Sequence, residues 1–302
     1  YDYRHFWDDR DYELWAERRA LRRAVSRLGP ARWFIDCGGG FGRNAEHYRP
    51  LVDRFVLVDY SATNLTNAAE LLADDVAAGR AVLVRCDVGA LPFADRAFDA
   101  GMVVRVLHHL VDLDRALDEM SRVIAGRWLL DVPVKHHALG VLRGAARGGL
   151  SSVLDRHPVR TGSTDEAFWN FQLAAVRGTL HRAGWRTRVV ASVNNLRRWD
   201  RRLPAAAVRV LRPVAYLVEA VGQWSGRGWW GPSQFVLAQR SGTALEPTGE
   251  PLPDGVPEVA HRMVCPACAG QLTWTATGAG CHACGRQYPK VGAHWDFTFD
   301  RA

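Results

Sequence analysis

The chain has 302 residues, a formal net charge of +7 and 48% hydrophobic residues. That length suits one large α/β domain plus a small module, and the hydrophobic share excludes disorder over most of the chain. Only two of the 39 basic residues are lysines, Lys135 and Lys290. The positive charge alone would suit RNA or an anionic membrane surface, but this bias reads as the arginine preference of a GC-rich coding sequence.

Residues 1–30 place Phe6, Trp7, Tyr12, Trp15, Leu21 and Val25 at helical spacing before Gly29-Pro30, which predicts an N-terminal cap helix. Strand-like and helix-like segments then alternate. Arg32–Asp36 reads as a strand, Asn44 to Leu51 as helical, and Phe55–Asp59 as a second strand. A helix is expected from Ala62 to Ala78. Strands are expected over Ala81–Arg85, Phe98–Val104 and Arg127–Val132, with a helix at Leu113–Ile124 between the last two. Such alternation predicts an α/β fold with a doubly wound, mostly parallel seven-stranded sheet. Residues 136–165 break the rhythm and read as an insertion. Helices are expected over Phe168–Ala183 and 204–223, and strands over Arg186–Val193 and Gln234–Gln239. Residues 197–230 read as a second lid or substrate segment. No apolar run is long enough to span a membrane. The nearest, Ala205 to Val221, is broken by Arg209, Arg212, Pro213 and Glu219. A Pro- and Gly-rich stretch predicts a linker over 241–260, between a main domain at 31–240 and a cysteine module at 261–302.

The chemistry concentrates where the first strand ends, at Asp36-Cys37-Gly38-Gly39-Gly40-Phe41-Gly42. Glycines there let a ligand approach the backbone at a helix N-terminus. A dinucleotide fingerprint begun at Gly38 would need glycine at 43, where Arg43 stands. Asp59 follows 23 residues after Asp36 and ends the second strand, where an acid can accept both ribose hydroxyls of an adenosine. A third acid, Asp87, follows the third strand.

These motifs, with Val58-Asp59-Tyr60-Ser61, Cys86-Asp87-Val88, Leu91-Pro92-Phe93 and Val106-Leu107-His108-His109-Leu110, resemble the class I S-adenosylmethionine (SAM)-dependent methyltransferases over roughly residues 30–240. The resemblance implies SAM as cofactor, with S-adenosylhomocysteine as product. Asp36, Gly38 and Gly40 would shape the pocket for its methionine part. Asp59 would hold the ribose with Tyr60 beside the adenine, Asp87 and Val88 would receive the adenine, and Arg105 would lie where the fourth strand passes the sulfonium. His108 and His109 are the candidate proton acceptors, set against a simple packing or capping role. His136, His137 and His157 read as surface loop residues. The first helix resembles the segment that closes over SAM in relatives, although its aromatic stripe equally suits ordinary core.

Cys265-Pro266-Ala267-Cys268 and Cys281-His282-Ala283-Cys284 are separated by 12 residues. Two such knuckles suit one tetrahedral Zn²⁺ better than a redox pair, and four of the six cysteines used this way, with Cys37 and Cys86 in strand or strand-end positions, point to a reducing compartment. A cytoplasmic location is therefore expected, with no signal-like start. The module resembles the small zinc-ribbon protein that partners and activates tRNA and translation-factor methyltransferases, through Cys265-Pro266-x-Cys268, Leu272, Cys281-x-x-Cys284-Gly285 and Tyr288-Pro289. Its zinc is read as structural, because a module this small lacks core enough to fold alone. Replacing Cys281 with Ser is expected to unfold residues 262–298 and leave SAM binding largely intact.

The expected acceptor is a small-molecule or lipid-like metabolite. An RNA or ribosome-associated substrate is the second reading, supported by Arg197-Arg198…Arg201-Arg202 and by the ribbon, which could also bind a protein partner. A SAM-binding protein with non-methylating chemistry is the third. The absence of an Asn-Pro-Pro-Tyr-type motif disfavours exocyclic base amines and glutamine amides.

Overall fold

The computed structural model describes residues 7–146, 155, 157–161, 168–246 and 251–299. Phe6, part of the 136–165 insertion and part of the expected linker lie outside the described residues.

Strands covered on both faces need mostly apolar runs. Five such runs lie in the first half of the chain: β1 (Ala31–Cys37), β2 (Val52–Asp59), β3 (Ala81–Arg85), β4 (Phe98–Val103) and β5 (Ile124–Pro133). A short hairpin follows, β6 (Val159–Thr161) with β7 (Phe168–Asn170). With β8 (Arg186–Val193) and β9 (Ser233–Gln239), the five runs form a sheet ordered β3-β2-β1-β4-β5-β9-β8, in which only β9 is antiparallel. The order reverses beside β1, and ligands of open α/β sheets bind in the crevice at such a switch point.

The helices are α1 (Asp11–Val25), α2 (Ala45–Tyr48), α3 (Ala62–Leu71), α4 (Ala73–Ala77), α5 (Leu113–Val123), α6 (Ala138–Ala146), α7 (Leu173–Arg182) and α8 (Ala205–Ser225). One face of the sheet packs Leu117 and Met120 of α5 and Val176 and Leu180 of α7 around Trp128 and Trp185. The other packs Ala16, Ala20 and Leu21 of α1 and Leu65 and Ala68 of α3 against Phe34 and Leu57.

Two expected helices change. The helix expected over 62–78 breaks at Leu72 (ψ 22°), whose buried side chain sits under Gly42. The helix expected from Phe168 begins only after Gln172. Phe168–Asn170 is drawn into the hairpin instead, and the Phe168 ring meets His108 and His109 edge-on at 5.0 and 5.5 Å. Tertiary contacts override local propensity there.

The cysteine module forms β10 (Leu272–Thr275), β11 (Gly278–Cys281), β12 (Gln287–Val291) and β13 (His294–Asp296). β13 runs parallel to β3, pairing His294 with Leu83 and Asp296 with Arg85, so that one sheet of eleven strands results. The chain leading to the module also lies on the main body. Arg262 donates to the carbonyls of Ala97 and Leu245 at 2.8 and 2.7 Å. Val259, Ala260 and Met263 are buried in the same core as Trp33.

Candidate active site and metal centre

After β1 the chain turns through Gly38, Gly40 and Gly42, with φ of 70°, 59° and 83°. A side chain at Gly38 would strike Val106, 2.2 Å away, whereas a Cβ on Gly40 would meet nothing within 4 Å. Gly38 therefore permits close packing, and Gly40 leaves backbone open to a ligand. The Gly40 N–H donates to Asp59 Oδ2 at 2.9 Å. Asp59 Oδ1 accepts from the Ser61 N–H at 2.9 Å and from Asn64 Nδ2 at 3.3 Å. The glycine loop and the end of β2 are thus fixed to each other.

Beneath the loop lies Asp36, 1% exposed. Its Oδ2 has no close donor among the described residues, and burial pushes its carboxyl up to about 7 against the opposing pull of the nearby Tyr48 hydroxyl. Asp87 Oδ1 accepts from the Gly89 N–H at 2.7 Å, which turns the chain after β3 beside buried Val88. Tyr60 is exposed. Arg85 lies 5.6 Å from its ring, donates to its carbonyl at 3.0 Å and pairs with Asp296 at 2.9 Å. A residue of the cysteine module therefore sits one ion pair away from the neighbour of Asp59.

Arg105 takes a left-handed backbone (φ 62°), which non-glycine residues rarely adopt. Its N–H donates to Asp131 Oδ2 at 3.3 Å. Its side chain joins Arg43 on the buried carboxylate of Glu17, from α1. Burial would raise Glu17, but the two guanidiniums override it and hold the carboxyl at about 2. The Trp7 ring lies 3.9 Å from the Arg43 guanidinium and 5.4 Å from that of Arg105. Sequence reasoning missed Glu17 and Asp131, whose partners lie far away in the chain. The available signal for Glu17 was an acid four residues after Glu13 on the apolar face of α1.

His108 and His109 form a single turn after β4, their rings 4.0 Å apart. Burial, with His109, Arg105 and Arg197 nearby, pushes His108 far below the ordinary imidazole value. Burial lowers His109 too, against the pull of Asp59. A cavity of about 580 Å³ adjoins the chain just beyond the pair, lined by Val111, Asp114, Phe171, Ala175 and Thr179 among others. Its size suits a small ligand.

At the far edge of the sheet the sulfurs of Cys265, Cys268, Cys281 and Cys284 lie within 4.8 Å of one another. Two pairs stand at 3.7 and 3.5 Å, close to the roughly 3.8 Å that tetrahedral Zn–S bonds of about 2.3 Å require. Burial opposes ionisation of Cys281, but the backbone N–H groups of Cys284 and Ala283 favour the thiolate and help draw its pKa down to about 7.

Sheet order and site together define the α/β Rossmann-like methyltransferase fold. Residues 35–127 match the family described as methyltransferase domain. A putative methyltransferase of Encephalitozoon cuniculi is 36% identical over 137 residues, 42% of this chain and 60% of that protein. A ubiquinone/menaquinone biosynthesis C-methyltransferase of Hahella chejuensis is 31% identical over 124 residues, 39% of this chain and 49% of that protein. The chain thus spans about half to three-fifths of the length of these curated relatives. Two solved structures share the fold. A SAM-dependent methyltransferase from Mesorhizobium loti has a TM-score of 0.50 at 15% identity, covering 74% of this chain and 98% of that one. A chain from the complex of the Haloferax volcanii Trm112 methyltransferase activator with a putative methyltransferase has a TM-score of 0.51 at 16% identity, covering 78% and 92%. Among the described residues no helix is long and apolar enough to cross a membrane.

Proposed function

We propose that this protein is a SAM-dependent methyltransferase acting on a small-molecule or lipid-like acceptor, with a structural Zn²⁺ in its four-cysteine site. The observation that carries the reading is the open backbone at Gly40, held directly against the Asp59 carboxylate. Asp59 Oδ1 already accepts twice, but Oδ2 accepts only the Gly40 N–H and keeps a lone pair for a ribose hydroxyl. Asp36 supplies a buried carboxylate without a donor on Oδ2, a countercharge for the ammonium of the methionine part. Asp87 and Val88 flank the place of the adenine. SAM carries an already activated methyl group, so alignment and exclusion of water are what the chain must add. His108 and His109 are the candidate proton acceptors, and burial, which lowers both imidazoles, favours a positioning role for them.

The small-molecule reading gains support from the Hahella relative, whose name gives a C-methyltransferase of quinone biosynthesis. Against an RNA substrate, the Arg201 guanidinium is engaged by the buried Glu13 carboxylate, which removes one member of the expected basic cluster. A cytoplasmic site of action fits the reduced thiols that the zinc site needs.

Calorimetric titration with SAM, then release of S-adenosylhomocysteine in the presence of quinol and phenol acceptors, tests the reading. Asp59→Ala should weaken SAM about tenfold to a hundredfold, as loss of charge-assisted hydrogen bonds does. Undetectable binding of SAM by the unaltered protein would sink the proposal. Binding without methylated product from any acceptor would favour the non-methylating alternative.

A further inference from the structure

An amphipathic helix normally turns its apolar stripe inward. α8 reverses this. Val210, Val214, Leu217, Val221 and Trp224 recur at intervals of four and three residues and line one face, and that face is exposed, with Val210 at 75% and Leu217 at 65%. Leu211 and Val218 widen the stripe. The inner face is polar where it is buried. Glu219 accepts from Tyr12 Oη at 2.5 Å and from the Asn195 N–H at 2.8 Å, and Gln223 donates to the Ala16 carbonyl at 2.8 Å. These bonds fix the second half of α8 to α1 and β8. Residues 209–214 are all exposed and stand clear of the core.

The surroundings of the stripe say what it meets. Its end carries Trp224, with Trp229 and Trp230 following, all exposed and the last two in edge contact at 5.1 Å. Trp229 accepts at its carbonyl from Ala138 at 2.7 Å, which joins this end to α6, where Leu142 is 65% exposed. α6 starts just after β5, at the carboxyl edge of the sheet that also carries the glycine loop. Arg202, Arg209 and Arg212 are exposed at the other end, and Arg227 lies 5.6 Å from the Trp224 ring. The one carboxylate on α8, Glu219, is buried, so that beside these arginines the nearby acids are Asp11 and Asp200 around Tyr216.

We infer that the outer face of α8, continued by the three tryptophans, docks in the plane of an anionic lipid surface. Aliphatic side chains enter the acyl boundary, indoles sit at the headgroup level, and arginines meet lipid phosphates. The arginines along the helix prevent spanning, and they suit lying flat. A second copy of this chain is disfavoured, because a two-fold contact over this stripe would set arginines against arginines. The inference rests on the surface itself and not on methyl transfer. If both hold, the site takes its acceptor from the bilayer.

Co-sedimentation of the full chain with phosphatidylglycerol vesicles, beside phosphatidylcholine vesicles, tests it. Binding should be strong to the anionic vesicles and weak to the neutral ones. It should fall steeply between about 0.1 M and about 1 M salt, as the Debye length shrinks from about 10 to about 3 Å. The double substitution Leu217→Glu with Val221→Glu should abolish binding, and Arg209→Glu with Arg212→Glu should weaken it at least about tenfold. Both variants should keep the thermal midpoint and SAM affinity of the unaltered protein, since all four side chains point away from the core. Equal or absent binding to the two vesicle types overturns the inference. So does sedimentation velocity showing a dimer that Leu217→Glu converts to monomer. Loss of SAM binding with vesicle binding intact would instead count against the proposed function alone.

Discussion

At the scale of single residues the least comfortable group in the molecule is Asp36. Its ordinary carboxyl value of 3.8 rises to about 7 because burial disfavours the charge. A raised acid makes the fold bind protons more tightly than the unfolded chain, so stability declines as pH climbs from about 4 to about 7 and levels off above. The full cost is at most about 4 kcal/mol. Asp36→Asn should therefore raise the thermal midpoint of the ligand-free protein at pH 8. A cationic ligand prefers the ionised carboxylate, so SAM affinity should fall by up to about tenfold per pH step below 7. The asparagine variant should bind weakly with no such slope. Calorimetric titration of both proteins between pH 5.5 and 8.5, the outer values being about one and a half steps either side of neutrality, decides. A parallel slope in the two removes Asp36 from the binding site. The glycine loop, Asp59 and Asp87 were legible because each sits at the end of an apolar run, and strand ends are marked in sequence. The destination of Arg105 was not. It turns to Glu17, 88 residues away, and no local pattern encodes that contact.

Among the elements, α1 is held to the glycine loop by one carboxylate shared between two guanidiniums. Glu17→Gln removes the carboxylate that Arg43 and Arg105 share in a mostly buried place and leaves Arg105 the weaker pull of Asp131 and Glu13. Breaking a buried pair costs about 3–5 kcal/mol, and the guanidiniums are 17% and 24% exposed, which favours the lower end. Glu17 is held at about 2 against an ordinary 4.5. Its stabilisation is complete above the ordinary value and disappears as pH falls toward 2. Thermal melts at pH 7 and pH 3 measure this: the gap between Glu17→Gln and the parent should narrow in acid, and a constant gap would contradict the assignment. Element types were mostly readable because β1 to β5 are predominantly apolar runs and α5 is sharply two-faced. The break at Leu72 and the hairpin at Phe168 were not readable. Each is imposed by a partner distant in sequence, Gly42 for one and the histidine pair for the other. The exposure of Trp224, Trp229 and Trp230 was not readable either, since composition does not reveal which face of a helix finds a neighbour.

For the molecule as a whole, the cysteine module is an extension of the sheet. A module joined only by a tether could unfold alone. This one hydrogen-bonds β13 along β3, and Asp296 holds Arg85 beside Tyr60. Cys281→Ser should release Zn²⁺ and, contrary to the expectation of independence, also weaken SAM binding severalfold. Zinc release by a chromogenic chelator and calorimetry with SAM measure the two effects. Unchanged SAM affinity after complete zinc loss would restore the picture of separable units. The pairing has a further consequence in time. Arg85 and Asp296 are 211 residues apart, so a growing chain leaves the β3 edge unpaired until it has been extended that far. Until then it offers bare N–H and C=O groups, the surface on which nascent chains stick to each other. High sequence separation also slows the search for the final pairing. Folding should therefore pass through an incomplete sheet whose β3 edge stays open until β13 arrives, and a substitution that disrupts β13 should lower the soluble yield.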